Sequence, residues 1–379
     1  MQKNYRRLGD YIQQVDERNS KLEDLPLMGL SIQKKFIPSI ANTIGTNMST
    51  YKIIRKNQFA YGPVTSRNGD KITIALFKDY DKALISQAYI PFKIIDTTKL
   101  IPEYLMMWFR RPEFDRYARF KSHGSAREIF SWEEMCDVWL PIPDITQQQA
   151  LVDEYQTIER RIQVNEKLCQ KLEETAQALY RKYFVEDIDP ESLPEGWRWG
   201  TIGEYCLEIK SGGTPNRANS DYWNKRECRW LKTGEVQNNI VFDTEEYISK
   251  EGMANSSAKL IPINTVVMAM YGATAAQVSF LRCEMTTNQA CCNMICNTKE
   301  EAAFLFFHLL FNQDEIKRLA IGGAQENLNQ ELITNLPIII GDQRKSVFLP
   351  ILEQLEQLQE QNIKLKEFLS LLLVKMGRE

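Results

Sequence analysis

Residues 151–183 read LVDEYQTIERRIQVNEKLCQKLEETAQALYRKY, and a stripe of mostly apolar residues recurs along them at alternating steps of four and three. The stripe consists of Leu151, Tyr155, Ile158, Ile162, Asn165, Cys169, Leu172, Ala176, Leu179 and Tyr183. These steps give the 3.5-residue period that keeps one side of a helix facing a partner helix in a supercoiled pair. The stretch therefore predicts a helix of roughly 35 residues, or about 50 Å, that needs a partner.

A second stripe of the same period lies near the end of the chain. It consists of Phe348, Ile351, Leu355, Leu358, Asn362, Leu365, Leu369, Leu372 and Met376. Neither helix can bury its stripe alone, and the simplest partner for each is the other, which predicts a coiled coil. The alternative is that each helix packs flat on its own domain, but heptads this long favour the coiled coil.

Each stripe contains one asparagine near the middle of its helix. In an antiparallel pair the midpoints meet, so we predict that Asn165 and Asn362 lie together and hydrogen-bond across the seam. A seam asparagine commonly sets the register and orientation of a coiled coil at some cost in stability. The alternative is two separately solvated asparagines, because asparagine tolerates partly exposed positions.

Four short matches indicate that about half of the chain occurs twice. Leu8-Gly9-Asp10-Tyr11 recurs as Ile202-Gly203-Glu204-Tyr205, Ser86-Gln87-Ala88 as Asn288-Gln289-Ala290, Gly124–Glu128 as Gly322–Glu326, and Leu140-Pro141-Ile142 as Leu336-Pro337-Ile338. The matches keep one order, at offsets of 194 to 202 residues. Coincidence among common residues is the alternative, and four ordered matches make it the weaker one.

Both copies have the same order of elements. Runs rich in β-branched and aromatic residues, such as 71–77 and 265–270, predict strands, and helices are predicted at 102–119 and 300–320. The predicted fold class is α+β, with two similar mixed α/β domains separated by two long helices that form an antiparallel coiled coil with pseudo-twofold symmetry. The predicted domains are 1–146 and 185–341, the latter opening with a linker at 185–200, and the predicted long helices are 147–184 and 342–379.

This architecture would suit a molecular ruler. Duplex DNA advances about 3.4 Å per base pair, so a helix of ~50 Å matches about 15 base pairs. Half-sites about one helical turn apart face the same side of the duplex. The two domains are therefore predicted to read two short sequences separated by an unread spacer.

The charge of the chain is unevenly distributed. The 379 residues are 43% hydrophobic with a net charge of −3, which predicts two or three folded domains. Residues 1–146 carry 22 Lys and Arg against 17 Asp and Glu, whereas residues 201–341 carry 12 against 16. A stand-alone DNA-binding protein usually shows a clear basic excess, so charge alone would not indicate DNA.

Other patterns argue against several classes of protein. The N-terminus lacks the apolar core of a signal peptide, and the run Ala302–Phe311 is about half of a membrane span. A cytoplasmic protein with reduced cysteines and no membrane association is therefore expected. The absence of a Cys-x-x-Cys pair and the presence of only two histidines argue against a metal site. The sequence contains no Walker sequence and no glycine-rich cofactor loop, and this argues against an enzyme.

Five segments of the second copy form a familiar series: Leu193-Pro194-Glu195-Gly196-Trp197, Ile202-Gly203-Glu204, Lys210–Arg217, Trp230–Val236 and Tyr271-Gly272. In these segments the second copy resembles a target recognition domain from the specificity subunit of a type I restriction-modification system. The resemblance covers nearly the whole chain, including two recognition domains that alternate with two helical regions. It is highly specific in the second copy and moderate in the first, which lacks the Leu-Pro-x-Gly-Trp opening and the Gly-Thr-Pro segment.

The resemblance implies a non-catalytic subunit that carries no cofactor of its own. Each recognition domain would read one half of a bipartite target on double-stranded DNA, and the helices would dock two methyltransferase subunits that carry S-adenosylmethionine. A restriction subunit that uses ATP and Mg is a further, optional partner. Two alternatives remain open: a coiled-coil scaffold that binds only protein, and the recognition subunit of a related DNA-modifying defence system.

By this resemblance, loops of the second copy supply candidate DNA contacts. They are Ser211, Gly213, Thr214, Arg217, Lys232, Thr233, Tyr271 and Gly272. Glycine permits close approach to a backbone, and Arg or Asn can read guanine or adenine edges, whereas a loop lysine more often contacts phosphate. A loop of the first copy offers Tyr61, Gly62, Ser66, Arg67 and Asn68. Ordinary turns are the alternative for all of these segments, because Gly, Pro and Asn form turns anyway.

The loop before the Leu-Pro-Ile step is the better candidate for reading sequence. It contains Lys121, Ser122, Ser125 and Arg127 in the first copy, and Gln325 and Asn327 in the second. The loop recurs in both copies but differs in the residues able to discriminate bases. Two domains that read different sequences should show this difference.

Overall fold

A computed structural model describes residues 4–40, 45–66, 68–124, 127–319, 327–341 and 343–377. It divides into two compact units: unit 1 is Met1–Ile162 with Lys364–Glu379, and unit 2 is Gln163–Ile363. Each unit contains one copy of the repeat together with part of both long helices. The units therefore divide both helices near the middle, whereas the predicted boundaries follow the helix ends.

Unit 1 consists of short strands, short helices and the first part of a long helix. Its strands are β1 (Tyr5–Arg7), β2 (Ile12–Gln14), β3 (Leu27–Leu30), β4 (Phe36–Pro38), β5 (Lys52–Arg55), β6 (Phe59–Tyr61), β7 (Ile74–Leu76), β8 (Lys82–Ile85), β9 (Ile90–Ile94) and β10 (Trp139–Pro141). Its helices are α1 (Pro102–Arg110), α2 (Pro112–Phe120), α3 (Trp132–Cys136) and the start of α4 (Ile145–Arg181). The sheet orders are β2-β9-β6-β7 and β4-β3-β8-β5, and β1 pairs with β10.

Unit 2 has a similar content. Its strands are β11 (Arg198–Thr201), β12 (Glu208–Ser211), β13 (Cys228–Leu231), β14 (Asn239–Val241), β15 (Glu246–Ile248), β16 (Val266–Ala269), β17 (Val278–Leu281), β18 (Thr286–Thr287), β19 (Cys291–Ile295) and β20 (Pro337–Ile340). Its helices are α5 (Ile202–Tyr205), α6 (Lys250–Ala254), α7 (Lys299–Phe311), α8 (Gln313–Leu319), α9 (Gln330–Thr334) and the start of α10 (Phe348–Met376). The sheet orders are β12-β19-β16-β17-β14 and β15-β13-β18, and β11 pairs with β20.

The two units repeat one pattern of strand pairing. β2 pairs with β9 as β12 pairs with β19, and β6 lies between β7 and β9 as β16 lies between β17 and β19. β3 runs parallel to β8 as β13 runs parallel to β18. Unit 2 differs by β14, which pairs in parallel with β17 at the sheet edge. The duplication inferred from four short matches is therefore present in the strand topology.

Each domain helix that we predicted as one element is two helices. In unit 1 the break falls at Arg111, which has an extended backbone, because the residue before Pro112 is disfavoured in the helical region. In unit 2 it falls at Asn312, whose Nδ2 donates a hydrogen bond of 2.8 Å to the carbonyl of His308. The prediction of continuous helices over 102–119 and 300–320 was wrong on this point.

The repeated glycine in Leu8-Gly9 and Ile202-Gly203 has the same packing reason in both units. A Cβ atom on Gly9 would lie 2.8 Å from the Cβ of Cys136, at the end of α3. A Cβ atom on Gly203 would lie 2.5 Å from Cγ2 of Thr334, at the end of α9. Glycine therefore lets α3 in unit 1 and α9 in unit 2 approach closely the helical turn that follows β1 or β11.

The long helices contact each other in both units. In unit 1, Ile158 and Ile162 of α4 form a buried cluster with Leu372 of α10, and Leu365 and Leu369 pack against it. In unit 2, the later α4 residues Cys169 and Ala176 share a buried cluster with the early α10 residues Ile351 and Leu355. The start of each helix thus meets the end of the other, and the predicted antiparallel packing is confirmed.

The end of the α4 stripe is displaced by one residue from the prediction. Tyr180 and Phe184 are buried, whereas Leu179 and Tyr183 are only partly buried. A straight helix drifts about 20° per heptad from a 3.5-residue seam, and α4 continues into a π-helical turn at Lys182–Glu186. The last turn therefore faces α7, where the hydroxyl of Tyr180 lies 2.6 Å from Nδ1 of His308.

The two seam asparagines hydrogen-bond to each other. Asn165 Nδ2 donates to Asn362 Oδ1 at 2.8 Å and to Gln361 Oε1 at 2.9 Å. Both asparagine side chains are buried, so the alternative of separately solvated asparagines was wrong. The predicted contact is present, and its role in fixing the register of the helices stays a prediction.

A double-mutant cycle on Asn165→Leu and Asn362→Leu tests that role. Each single change should cost about 1–2 kcal/mol, because it leaves a buried amide without this hydrogen bond. The double variant should cost less than the sum of the two, as measured by urea unfolding. Additive losses would show that the two side chains are not energetically coupled.

Candidate DNA interface

One turn of unit 2 joins the segments that were predicted to contact DNA. The turn is Asn288–Ala290, between β18 and β19. Four backbone hydrogen bonds of 2.8 to 3.0 Å tie the surrounding loops together: Gly213 N–H to Thr287 O, Asn288 N–H to Leu231 O, Met270 N–H to Ala290 O and Leu328 N–H to Met270 O. Segments 211–217, 232–233 and 271–272 and residue Asn327 are distant in sequence, and they meet at this edge of the unit.

Gly213 is packed inside the protein. A Cβ atom there would lie 2.3 Å from the backbone carbon of Ser257, and its carbonyl accepts a hydrogen bond of 2.9 Å from Nε1 of Trp230. The glycine therefore allows a close approach to Ser257. This corrects its interpretation as a residue that approaches DNA.

The two hydroxyl residues beside Gly213 hold neighbouring side chains in place. Ser211 Oγ donates to Gln330 Oε1 at 2.8 Å, and the hydroxyl of Thr214 donates to Oε1 of Gln289. Ser211 and Thr214 are each half-buried. They therefore act first as supports for Gln330 and Gln289, which lie on α9 and on the turn.

Arg217 is stacked on two tryptophans. Its guanidinium carbon lies 3.5 Å from the ring centroid of Trp223 and 4.7 Å from that of Trp230. The guanidinium also forms an ion pair with Glu246. Cation–π stacking and the carboxylate together fix the orientation of this exposed arginine.

Lys232 is also held by Glu246, together with the neighbouring Glu245. Its Nζ lies 2.9 Å from the carboxylate of Glu245 and 3.1 Å from that of Glu246. The hydrogen bonds that Lys232 donates to Glu245 and Glu246 raise the pKa of Lys232. Partial burial would raise the pKa of Glu246, but the hydrogen bonds that it accepts from Arg217 and Lys232 outweigh that effect and lower the pKa. A DNA phosphate would therefore have to compete with two charged carboxylates at this place.

Of the other described candidates of unit 2, Tyr271, Gly272 and Asn327 are exposed, whereas Thr233 is half-buried. Tyr271 is exposed and forms an isolated antiparallel bridge with Asn327, which is also exposed. Gly272 has φ +75°, a left-handed conformation that favours glycine, and Thr233 begins a short 3₁₀ turn. Tyr271 and Asn327 are thus side by side and open to solvent.

Unit 1 builds the corresponding edge. Val64 and Ile129 form an antiparallel bridge in the position of the Tyr271–Asn327 bridge. Around it, Phe130 N–H donates to Pro63 O at 2.8 Å, and Thr65 N–H donates to Glu128 O at 3.0 Å. The two units therefore present one backbone arrangement with different side chains.

A cleft of about 280 Å³ lies beside Arg127 in unit 1. Its lining includes Gly62, Asn68, Ala88 and Tyr89. Arg127 is exposed, and Asn68 is half-buried with its Nδ2 donating to the carbonyl of Val64 at 3.2 Å. Two side chains that can read base edges thus line one concave surface, and Ser66 lies exposed in the same loop.

Two candidates of unit 1 are buried in the protein interior. Tyr61 is fully buried between Phe92 and Phe130, and burial raises its pKa. Ser122 is buried, with Oγ donating to the carbonyl of Ala118 at 2.7 Å. These contacts correct the prediction that Tyr61 and Ser122 touch DNA.

Two further candidates of unit 1, Gly62 and Lys121, contact neighbouring residues of the protein. Gly62 is buried, and a Cβ atom on it would lie 2.5 Å from Oγ1 of Thr73. Lys121 is half-buried and pairs with Glu134 at 3.2 Å. Three other predicted contacts, Arg67 and Ser125 of unit 1 and Gln325 of unit 2, lie outside the described residues.

Comparison with known proteins agrees with the fold. A family model described as the type I restriction modification DNA specificity domain matches residues 194–375. The specificity subunit of type I restriction enzyme HindI from Haemophilus influenzae is 21% identical over 362 residues, which cover 76% of this chain and 77% of that protein. Residues 194–375 thus match the specificity domain of type I restriction-modification systems, and the chain as a whole is similar to their specificity subunits.

Two further comparisons involve similar proteins. The EcoR124I/EcoR124II specificity subunit of Escherichia coli is 24% identical to this chain over 228 residues, covering 58% of this chain and 54% of that one. The crystal structure of a type I restriction-modification S subunit from M. genitalium superposes with a TM-score of 0.60 at 12% identity. It covers 98% of this chain and 95% of that one, so the two share a fold over nearly their full length.

Sequence reasoning missed two features of the candidate interface. It used Ser86-Gln87-Ala88 and Asn288-Gln289-Ala290 only to align the copies, although both glutamines are exposed at the interface edge. It also passed over Glu245 and Glu246, which neutralise Arg217 and Lys232. The repeat itself was a signal for the glutamines, whereas no local pattern connects Glu246 with Arg217.

Metal clusters and membrane-spanning helices are both absent from the described residues. Within these residues, no group of three or more His, Cys, Asp or Glu side chains is placed to hold a metal ion. No helix among them has both the length and the apolar character needed to cross a membrane. All eight cysteines are free thiols, and burial raises the pKa of Cys292 to about 12.

Proposed function

We propose that the specificity subunit reads a bipartite target on double-stranded DNA, with one half-site for each unit. The observation that supports this most is the interface edge that is built twice. At equivalent bridges, unit 1 carries Val64 and Ile129, and unit 2 carries Tyr271 and Asn327. Apolar side chains suit a thymine methyl group, whereas asparagine suits adenine, so the two edges would select different sequences.

The subunit would supply recognition, and its partners would supply much of the grip on phosphate. Residues 201–341 carry 12 Lys and Arg against 16 Asp and Glu, and Arg217 and Lys232 already pair with carboxylates. Non-specific affinity for DNA comes mainly from neutralised phosphates, which this surface is poorly equipped to bind alone. S-adenosylmethionine, ATP and Mg, and the catalytic steps that use them, are assigned to the partner subunits.

The long helices would dock two methyltransferase subunits. In unit 2, Val164 and Leu168 of α4 are 47% and 45% exposed and lie one turn apart on the same face. In unit 1, Phe368 and Leu371 of α10 are 46% and 65% exposed at a spacing of three. These apolar pairs lie beside the seam and outside it, so the coiled coil itself leaves them free for a partner.

The double variant Val164→Glu with Leu168→Glu tests this docking. We expect the variant to lose copurification with the methyltransferase subunit while its free energy of unfolding changes by about 0.5 kcal/mol or less, because both side chains are surface-exposed. Gln170→Glu is the control, since it also places a negative charge at an exposed position of α4. Full assembly and methylation by the double variant would contradict the proposal.

Arg127→Ala tests the reading of sequence by unit 1. Methylation-sensitive sequencing of the host genome, with and without the gene, should give a bipartite methylated motif that depends on the subunit. The variant should relax one position of one half-site by about 1–3 kcal/mol. Arg116→Ala is the control, because Arg116 is an exposed arginine of the same unit on α2.

Three outcomes of that experiment are informative. A uniform loss over every position would mark Arg127 as a phosphate contact and not a base contact. Methylation that does not depend on the gene would contradict DNA reading by this chain. A chain that assembles with protein partners but never retains DNA would instead support the scaffold alternative.

A further inference from the structure

Each unit presents an exposed glutamine on a turn of the same construction. In unit 1 the turn begins at Ser86, whose Oγ accepts a hydrogen bond of 3.3 Å from the N–H of Ala88. The carbonyl of Ser86 accepts a second bond, of 3.1 Å, from the N–H of Tyr89. Gln87 lies between these bonds, and its side chain is exposed.

The turn of unit 2 has the same pattern. Asn288 Oδ1 accepts a hydrogen bond of 3.2 Å from the N–H of Ala290, and its carbonyl accepts one of 3.2 Å from the N–H of Cys291. Gln289 occupies the position of Gln87 and is also exposed. A side chain that caps its own turn fixes the backbone, so both glutamines are carried on an ordered support.

Both turns lie at the candidate interface edge. In unit 1, Ala88 lines the cleft that also contains Arg127 and Asn68. In unit 2, Ala290 bonds to Met270, next to the exposed Tyr271. The glutamines therefore lie next to residues that the sequence predicted as DNA contacts, although neither glutamine was among them.

The chemistry of the side chain is that of an adenine reader. A carboxamide has one oxygen with two acceptor sites and one nitrogen with two N–H donors. The hydroxyl of Thr214 uses one acceptor site of Gln289 Oε1, which leaves one acceptor and both donors available. Adenine in the major groove offers one donor, N6, and one acceptor, N7, which glutamine can bind at the same time. Because Thr214 restrains the carboxamide, less side-chain freedom is lost on binding.

Packing does not explain why the residue is glutamine in both units. Exposed turn positions accept most polar residues, and both glutamine side chains are exposed. By contrast, the neighbouring bridge residues differ between the units. The edge therefore combines one shared side chain with several that differ.

We propose that Gln87 and Gln289 are specificity-determining residues, each of which reads an A·T base pair in the major groove of its own half-site. This inference rests on the proposed bipartite reading. It adds that the two half-sites share an A·T pair at the corresponding position, while the bridges and Arg127 make the rest of each half-site different.

The test compares the methylated motif of the host genome in strains that carry single variants of the full chain. Gln289→Ala should weaken the preference for A·T at one position of one half-site by about tenfold to a hundredfold, and Gln87→Ala should do so in the other half-site. Gln289→Glu, which can only accept hydrogen bonds, should shift that position from adenine towards cytosine. Gln33→Ala is the control, since Gln33 is also exposed on a serine-capped turn, between β3 and β4.

The outcomes separate this inference from the proposed function. A wild-type strain with no bipartite motif would contradict the proposed function itself. A bipartite wild-type motif that both alanine variants leave unchanged, or half-sites without a shared A·T pair, would overturn the inference alone. Complete loss of methylation in variants whose urea unfolding is unchanged would also overturn it, because one base contact governs one position.

Discussion

Replacing Phe348 by alanine should lower the free energy of unfolding by about 3–5 kcal/mol. Phe348 is the first residue of α10 and is fully buried. Its ring centroid lies 5.6 to 6.4 Å from those of Tyr180, Phe184, Phe304 and Phe307. Alanine would leave a cavity where α4, α7 and α10 meet, and these rigid rings cannot collapse into it.

The matched control is Phe368→Ala, which makes the same change on the same helix. Phe368 is 46% exposed, so its loss should cost about 1 kcal/mol or less. Urea unfolding of both variants measures the difference. Similar losses at the two positions would show that Phe348 does not anchor the start of α10 as its burial indicates.

Glu356→Gln should lower the free energy of unfolding by about 3 kcal/mol. Glu356 is a buried acid of α10, and its Oε2 lies 3.0 Å from Lys299 Nζ and 3.2 Å from Arg282 Nε. Glutamine keeps the shape of the side chain but removes the charge. Two partly buried cations would then lose the carboxylate that attaches the domain of unit 2 to α10.

Glu353→Gln is the control for this charge. Glu353 lies one turn earlier on α10 and also pairs with Lys299, at 3.2 Å, but its side chain is 48% exposed. Exposed ion pairs contribute about 0–1 kcal/mol, so this variant should unfold nearly like the wild type. Equal losses from Glu353→Gln and Glu356→Gln would mean that burial does not set the strength of these pairs. Unit 1 has a related ion pair between Arg110 and Glu159, at 2.6 Å.

The predictions that depended on periodicity hold best. The heptads indicated both long helices and their antiparallel contact, and the shared midpoints indicated the hydrogen bond between Asn165 and Asn362. The predicted stripe failed at Tyr180 and Phe184, because side chains there can pack against either the partner helix or α7. A stripe records that one face is buried, but it does not record which neighbour buries it.

The predictions of single contact residues hold less well. Tyr61, Ser122 and Gly213 lie in loops or strand ends of suitable composition. However, Tyr61 and Ser122 are buried in the core, and Gly213 packs against the backbone of Ser257. Composition is a local property, whereas burial depends on segments that approach from elsewhere in the chain. The same reason explains why Glu246 went unnoticed, since the sequence does not show that β15 lies beside Arg217.

The sequence alone determined that this protein is a duplicated α+β chain with two long, antiparallel helices, because repeats and 3.5-residue periods are visible along the chain itself. Only the tertiary structure decided which loops gather around Asn288–Ala290, which cations are already neutralised, and which polar side chains remain exposed. These depend on hydrogen bonds between strands that are up to about a hundred residues apart, and no local pattern specifies such pairings.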